Sequence, residues 1–258
     1  MTTQQAKART FRALHSSGTP LVLFNVWDPG STKVLERAGA VAIATGSWSV
    51  AAANGFPDGE KIPWALALEN LTRIVGATAL PVSVDIESGY GDDPTDVART
   101  LSEAIAAGAV GCNIEDSFPT TGRLRNIEDQ LARLRAARDS ADAAGINAFI
   151  NARTDVFFQT PADAHDRAMV EAALERARAF AAAGADGIFI PGVVDFGLIE
   201  ILATGSPLPL NIMVGKGSPN LAALTRAGVA RVSHGPGPYL AAMQGLEAAA
   251  RAAMVTEP

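Results

Sequence analysis

Val82-Ser83-Val84-Asp85-Ile86-Glu87-Ser88-Gly89-Tyr90-Gly91 is a short apolar, β-branched run that ends in two carboxylates and a glycine-rich turn. About one βα unit later, Gly111-Cys112-Asn113-Ile114-Glu115-Asp116 repeats the pattern. Side chains alternate faces along a strand, so Asp85 shares a face with Glu87, and Asn113 with Glu115. If the two strands are neighbours in a parallel barrel, three carboxylates converge at its C-terminal mouth, where such barrels keep their reactive groups. Crowded carboxylates repel one another, and burying them is costly. A hard divalent cation such as Mg²⁺ relieves that cost through the oxygen ligands it prefers. Asp85, Glu87 and Glu115 are therefore the candidate metal-holding residues.

A weak internal repeat extends this reading to the whole chain. Ala38-Gly39-Ala40, Ala107-Gly108-Ala109, Ala183-Gly184-Ala185 and Ala227-Gly228-Val229 each close a helical pattern and open an apolar run. Glycine just past a helix end is the expected cap. Eight strands are predicted: Leu21–Val26, Val41–Thr45, Pro81–Glu87, Val110–Glu115, Ala148–Ala152, Gly187–Pro191, Pro209–Val214 and Arg231–His234. The clearest helical patterns between them are Pro63–Gly76, Pro94–Ala107, Asn126–Ala144 and Asp163–Ala183, with only a turn or two at Phe196–Leu202. An extra helix near Gln4–His15 precedes the first strand. Eight alternations in 258 residues predict an α/β protein, a closed (β/α)₈ TIM barrel forming one domain over residues 1–258. An open doubly wound sheet is the alternative.

Composition narrows the partners. Apolar residues make up 48% and charged residues 19%, as in a folded globular domain. A net charge of −6 argues against nucleic acid, which needs a basic face, but leaves room for a small anion held by a local arginine. No apolar run is long enough to cross a bilayer, and Met1–Lys7 lacks a signal peptide's apolar segment. The single cysteine excludes an internal disulfide, and a cytoplasmic location is the default expectation.

The other strand ends are also polar. Asn25-Val26-Trp27-Asp28, Thr45-Gly46-Ser47-Trp48, Asn151-Ala152-Arg153-Thr154-Asp155 and Ser233-His234-Gly235 all fall there. Asp28 before Pro29-Gly30 and Asp116 before Ser117 suit helix capping equally well. Arg153 could fork onto a substrate carboxylate or neutralise one of the acids. Asp58, in the loop Asn54–Lys61, could move a proton over the site or merely start a turn before Gly59. Asn211 on the seventh strand and His234 after the eighth are further candidates for substrate contact. Gly215-Lys216-Gly217-Ser218 lacks the spacing of a phosphate loop.

Taken in order, Asn25-Val26-Trp27-Asp28, Gly55-Phe56-Pro57-Asp58-Gly59-Glu60, Asp85-x-Glu87-x-Gly89-Tyr90-Gly91, Asn113-Ile114-Glu115-Asp116 and Asn151-Ala152-Arg153-Thr154-Asp155 resemble the isocitrate lyase/phosphoenolpyruvate mutase superfamily. The resemblance runs from about Leu21 to Tyr239. It implies a Mg²⁺-dependent barrel (Mn²⁺ being a substitute) that makes or breaks a C–C or P–C bond beside a 2-oxo acid through an enolate-like species. It also implies a homo-oligomer, dimer or tetramer, with a swapped C-terminal helix. Asp85 would be the direct metal ligand, with Glu87 and Glu115 acting largely through water. Arg153 would grip the substrate carboxylate, with Gly46, Ser47, Trp48 and Trp27 around the oxo acid and Asp58 on a gating loop.

The departures shape the expected reaction. The lyase cysteine loop is replaced by Asp116-Ser117-Phe118-Pro119-Thr120-Thr121-Gly122-Arg123-Leu124, and Cys112 has the parity of Ile114, away from the barrel interior. A P–C enzyme's strand 6 histidine is replaced by Pro191. The leading expectation is a Mg²⁺-dependent lyase or decarboxylase acting on a small 2-oxo or 2-hydroxy di- or tricarboxylic acid. Phosphonopyruvate hydrolysis or phosphoenolpyruvate/phosphonopyruvate interconversion is the alternative, and a 2-oxo acid-binding protein without turnover is a third.

Overall fold

A computed structural model describes residues 2–254. Eight strands form one parallel sheet: β1 (Leu21–Leu23), β2 (Ile43–Ala44), β3 (Val82–Asp85), β4 (Gly111–Glu115), β5 (Phe149–Arg153), β6 (Gly187–Ile190), β7 (Leu210–Met213) and β8 (Arg231–Ser233). Seven ladders run β2-β3-β4-β5-β6-β7-β8-β1. A parallel bridge between Val26 and Thr45 joins β1 to β2 and closes the ring. The chain is a (β/α)₈ barrel.

The helices are α1 (Thr3–Ala13), α2 (Pro29–Arg37), α3 (Ser47–Ala53), α4 (Trp64–Gly76), α5 (Pro94–Ala106), α6 (Ile127–Ala143), α7 (Arg167–Ala182), α8 (Phe196–Gly205), α9 (Leu221–Arg226) and α10 (Gly237–Met254). Local chemistry sets their starts. Asp28, Asn126, Asp166, Asp195 and Asn220 each accept a backbone N–H from the first turn, satisfying an otherwise orphaned donor. Asp28 thus has the capping role its sequence context suggested.

Each predicted strand is present but mostly shorter, because the chain bends into its loop once the ladder ends. The predicted helix Asp163–Ala183 begins only at Arg167, where Asp166 caps it and a short 3₁₀ turn precedes it. The turn or two expected at Phe196–Leu202 is a ten-residue helix, α8, reaching Gly205.

The core lies between sheet and helices, with Ile43, Ile86, Ile114, Ile150, Ile188 and Ile212 fully buried. Helix α1 packs at the opposite end from the acidic strand ends. Its Phe11 meets Phe149 edge-on at 5.9 Å, and His15 stacks on Phe149 at 3.8 Å. Helix α10 is different, since of its 18 residues only Pro238 is buried. No helix among the described residues is long and apolar enough to span a membrane.

Candidate active site

Register brings the acids together. Asp85 pairs with Asn113 across β3 and β4, and Glu115 pairs with Arg153 across β4 and β5. Parallel register partners project to the same side of the sheet. The Asp85 carboxylate accepts the Ser47 N–H at 3.3 Å and the Glu87 N–H at 3.2 Å. Glu87 accepts the Glu60 N–H at 2.6 Å and the Tyr90 hydroxyl at 3.1 Å. Glu115 meets Arg153 Nη1 at 2.7 Å and accepts the Ser117 hydroxyl at 3.2 Å. Arg153 also binds both oxygens of Asp155, at 2.6 and 3.1 Å.

The loop over this cluster is fastened by Glu60. Its Oε1 accepts from Ser88 N at 3.1 Å, Ser88 Oγ at 2.7 Å and Tyr90 N at 2.8 Å. Glu60, Glu87 and Tyr90 all have positive φ, at 58°, 51° and 55°. Such non-glycine strain costs roughly 1–3 kcal/mol per residue and concentrates at functional sites. Gly46 contributes by close approach, since a Cβ there would lie 3.2 Å from Asn25 Cβ.

A cavity of about 200 Å³ opens at the C-terminal mouth. At ~30 Å³ per water, it suits an acid of a few carbons. Of the predicted site residues, Gly46, Ser47, Trp48, Asp58, Asp85 and Arg153 line it. Glu87 and Glu115 line an adjoining depression shared with Ser47, Asp58 and Arg153. Three predicted contacts lie elsewhere. Trp27 packs edge-on against Tyr239 at 5.1 Å. Asn211 is buried below the cavity, its Oδ1 accepting from Ser233. His234, a candidate for substrate contact, is not among the cavity-lining residues, and its ring lies 4.2 Å from Phe24. Inward-facing Arg231 and Ser233 leave the opposite parity to Val232 and His234.

Electrostatics follow from crowding. Burial, then Asp85 and Asp58, raise the Glu87 carboxyl to about 7. Asp58 is also shifted upward by desolvation and by Asp85, although its side chain is solvent-exposed on the loop. Burial and the acids around Glu115 shift it upward despite Arg153. Burial opposes the Arg153 charge, but Glu115, Asp155 and Asp85 more than offset it and hold it protonated. Asp116 plays another part: it is fully buried, pairs with Arg176 at 3.0 Å and accepts the Asp155 N–H.

The donor set suits a hydrated Mg²⁺. Among the described residues no three His, Cys, Asp or Glu side chains close into a ready-made cage. Mg²⁺ rarely uses such cages, and it keeps several waters while taking one or two carboxylates. The all-oxygen chemistry of Asp85, Glu87 and Glu115, and the crowding that shifts both glutamates upward, fit such an ion.

The sequence reading missed several cavity residues. Phe158, Phe189, Met213 and Pro236 make its apolar wall; Asn25, Asn113 and Ser233, visible in the sequence only as polar strand-end residues with no role attached, add polar groups. The apolar four carry no sequence signal separating them from core. Cys112 is fully buried, its thiol raised by that burial to about 12, as its parity implied.

Residues 11–254 match the phosphoenolpyruvate phosphomutase family. A crystal structure from Burkholderia cenocepacia J2315, provisionally named a phosphonomutase, is 57% identical, with a TM-score of 0.95, covering 97% of this chain and 99% of that one. An oxaloacetate decarboxylase of Pseudomonas fluorescens (strain SBW25) is 32% identical over 93% of this chain and 82% of its own. The crystal structure of a phosphonopyruvate hydrolase complexed with oxalate and Mg²⁺ is 25% identical, with a TM-score of 0.80 over 95% of this chain and 86% of that one.

Proposed function

The chain belongs to the phosphoenolpyruvate phosphomutase family, within the isocitrate lyase/phosphoenolpyruvate mutase superfamily, and from that membership we propose that it is a Mg²⁺-dependent C–C lyase or decarboxylase of a small 2-oxo acid. Being an enzyme of this type follows from the family, and the substrate and metal are our reading. The observation that carries it is the convergence of Asp85 and Arg153 in one small cavity, with Glu87 and Glu115 beside it. The similarity to an oxaloacetate decarboxylase favours a four-carbon 2-oxo dicarboxylic acid.

When bound, Mg²⁺ would act as a Lewis acid on negative charge developing at the 2-oxo oxygen. Asp85 would hold the ion, with Glu87 and Glu115 positioning its waters. Arg153 would bind the substrate carboxylate with N–H groups left over from Glu115 and Asp155. It is the only cation among the cavity-lining residues, so the leaving end of the substrate has no cationic anchor. A carboxylate left without a cation is easier to lose as CO₂. Glu60 would keep the loop carrying Asp58 over the mouth and limit water entry. With Cys112 buried on the helix side, a protonated group near Asp58 or a water would deliver the final proton.

Asp58 also supports a second reading, P–C bond chemistry, since it lies beside Ser47 and Asp85 where an attacking group would be oriented. Combined ¹H and ³¹P NMR of the protein with Mg²⁺ and either oxaloacetate or phosphonopyruvate tests both. Pyruvate above the Mg²⁺-only rate from oxaloacetate, and none from phosphonopyruvate, supports the leading reading. Phosphate or phosphoenolpyruvate from phosphonopyruvate alone would replace it with the second.

We further propose that the protein is a homo-oligomer assembled through α10. On that helix Leu240, Met243, Leu246 and Met254 are 42%, 37%, 63% and 80% exposed. An apolar helix so detached from its own barrel is stabilised by covering it.

A further inference from the structure

Arg231 lies on β8 with its side chain fully buried inside the barrel. It has no carboxylate partner among the described residues. Its Nη2 crosses to β4 and donates to Asn113 Oδ1 at 3.2 Å, its Nε reaches Ser233 Oγ at 3.4 Å, and its Nη1 has no partner. Burial lowers its pKa to about 10, which still leaves it charged at neutral pH. An unpaired buried cation destabilises a fold, so its presence under an active-site mouth calls for a functional reason.

The reason lies in Asn113. Arginine is donor-only, so the atom it meets must be the carboxamide oxygen. The same oxygen accepts Asn151 Nδ2 at 2.9 Å. Gly187 makes room for that arrangement, since a Cβ there would come within 2.8 Å of Asn151 Oδ1. With Oδ1 held by two donors, Asn113 Nδ2 has no partner among the described residues. Asn113 lines the cavity beside its register partner Asp85.

We propose that Arg231 is a positioning residue: by locking Asn113 with its oxygen toward the barrel interior, it presents Asn113 Nδ2 as a hydrogen-bond donor to a carboxylate or oxo oxygen of the substrate. Without Arg231 the carboxamide can rotate and offer an acceptor instead, which repels an anion. This inference rests on the 2-oxo acid reading above and adds Asn113 as a substrate contact and Arg231 as its orienter.

Calorimetry with oxalate and Mg²⁺ tests it on wild type, Arg231→Met and Asn113→Asp. The Asn113→Asp variant pairs its new carboxylate with Arg231, so it keeps the fold while losing the upward donor. Both variants are expected to weaken oxalate binding by about tenfold to a hundredfold, the worth of one hydrogen bond to a charged group. Arg231→Met should at the same time hold or tighten Mg²⁺ binding, because a cation is removed from beneath Asp85. A merely structural role would weaken Mg²⁺ and oxalate binding together, and that parallel loss would overturn the proposal. Wild-type oxalate affinity in Asn113→Asp would overturn it too, even if Arg231→Met fails to fold. Oxalate binding absent from the wild type would remove the 2-oxo acid reading itself, and this inference with it.

Discussion

Glu115 and Arg153 are direct register partners on β4 and β5, and their side chains meet at 2.7 Å in the barrel mouth. Arg153 is also held by Asp155, so its guanidinium plane is fixed before any substrate arrives. Fixing the fork in advance reduces the ordering cost of gripping a carboxylate.

Arg153→Lys should therefore be far from conservative. Lysine keeps the charge but cannot serve Glu115, Asp155 and a substrate at once. One lost charged hydrogen bond is worth about 1.5–3 kcal/mol, so kcat/KM should fall by roughly tenfold to a hundredfold. Steady-state kinetics on the substrate found by NMR checks this. Unchanged kcat/KM would remove Arg153 from the substrate site.

His15 should make stability depend on acid. Burial, then Arg231, lower its pKa from 6.5 to about 3, and its Nδ1 is bonded to the Phe11 carbonyl. The unfolded chain then binds the proton more readily than the folded one. Between about pH 6.5 and 3 stability falls as pH falls, with a slope approaching ~1.4 kcal/mol per unit from this group alone. Urea unfolding of His15→Phe beside wild type across that window should show the difference between their slopes. Parallel slopes would contradict the buried, neutral His15.

Cys112 should be chemically silent. The native protein is expected to resist thiol alkylation, and Cys112→Ala to keep wild-type turnover within about twofold, because a buried thiol raised to about 12 is neither nucleophile nor acid here. A hundredfold loss in a folded variant would return the cysteine to the chemistry.

The α10 face should control assembly. Leu240→Asp combined with Leu246→Asp places charge on residues that are 42% and 63% exposed, so the barrel should keep its far-UV spectrum. Mass photometry is expected to show an oligomer for wild type and a smaller species for the variant. A wild-type monomer would end the proposal of assembly.

Much of the barrel was legible because its signals are local. Glycine after four of the helices and β-branched runs between helices locate the strands, and parity along β4 places Asn113 and Glu115 on one face; Glu87 reaches the site from a left-handed turn beyond the end of β3 rather than by strand parity. The misses share a cause as well. Phe158, Phe189 and Met213 have the pattern of core residues, and only closure of the ring reveals that they face the cavity. His234 ends β8 with the parity of Val232, opposite to inward-facing Arg231 and Ser233, and so packs beside Phe24 rather than lining the cavity. Arg231 itself gave no local sign, since its partner Asn113 is 118 residues away, on the opposite side of the barrel. Asp163 suited a helix start by type, but Asp166 holds the capping geometry.

Pyruvate formation from oxaloacetate, with and without Mg²⁺, in wild type and Asp85→Ala is the most direct test of the central claim. Free Mg²⁺ decarboxylates oxaloacetate slowly, so the variant serves as the baseline. Circular dichroism should show the variant folded, since Asp85 lies at a strand end and its loss removes repulsion from Glu87. Wild-type pyruvate release well above that baseline, abolished by chelation and by Asp85→Ala, is the predicted result. Equal rates in the two proteins would contradict the assignment of Asp85 as metal-holding residue and of oxaloacetate decarboxylation as the reaction.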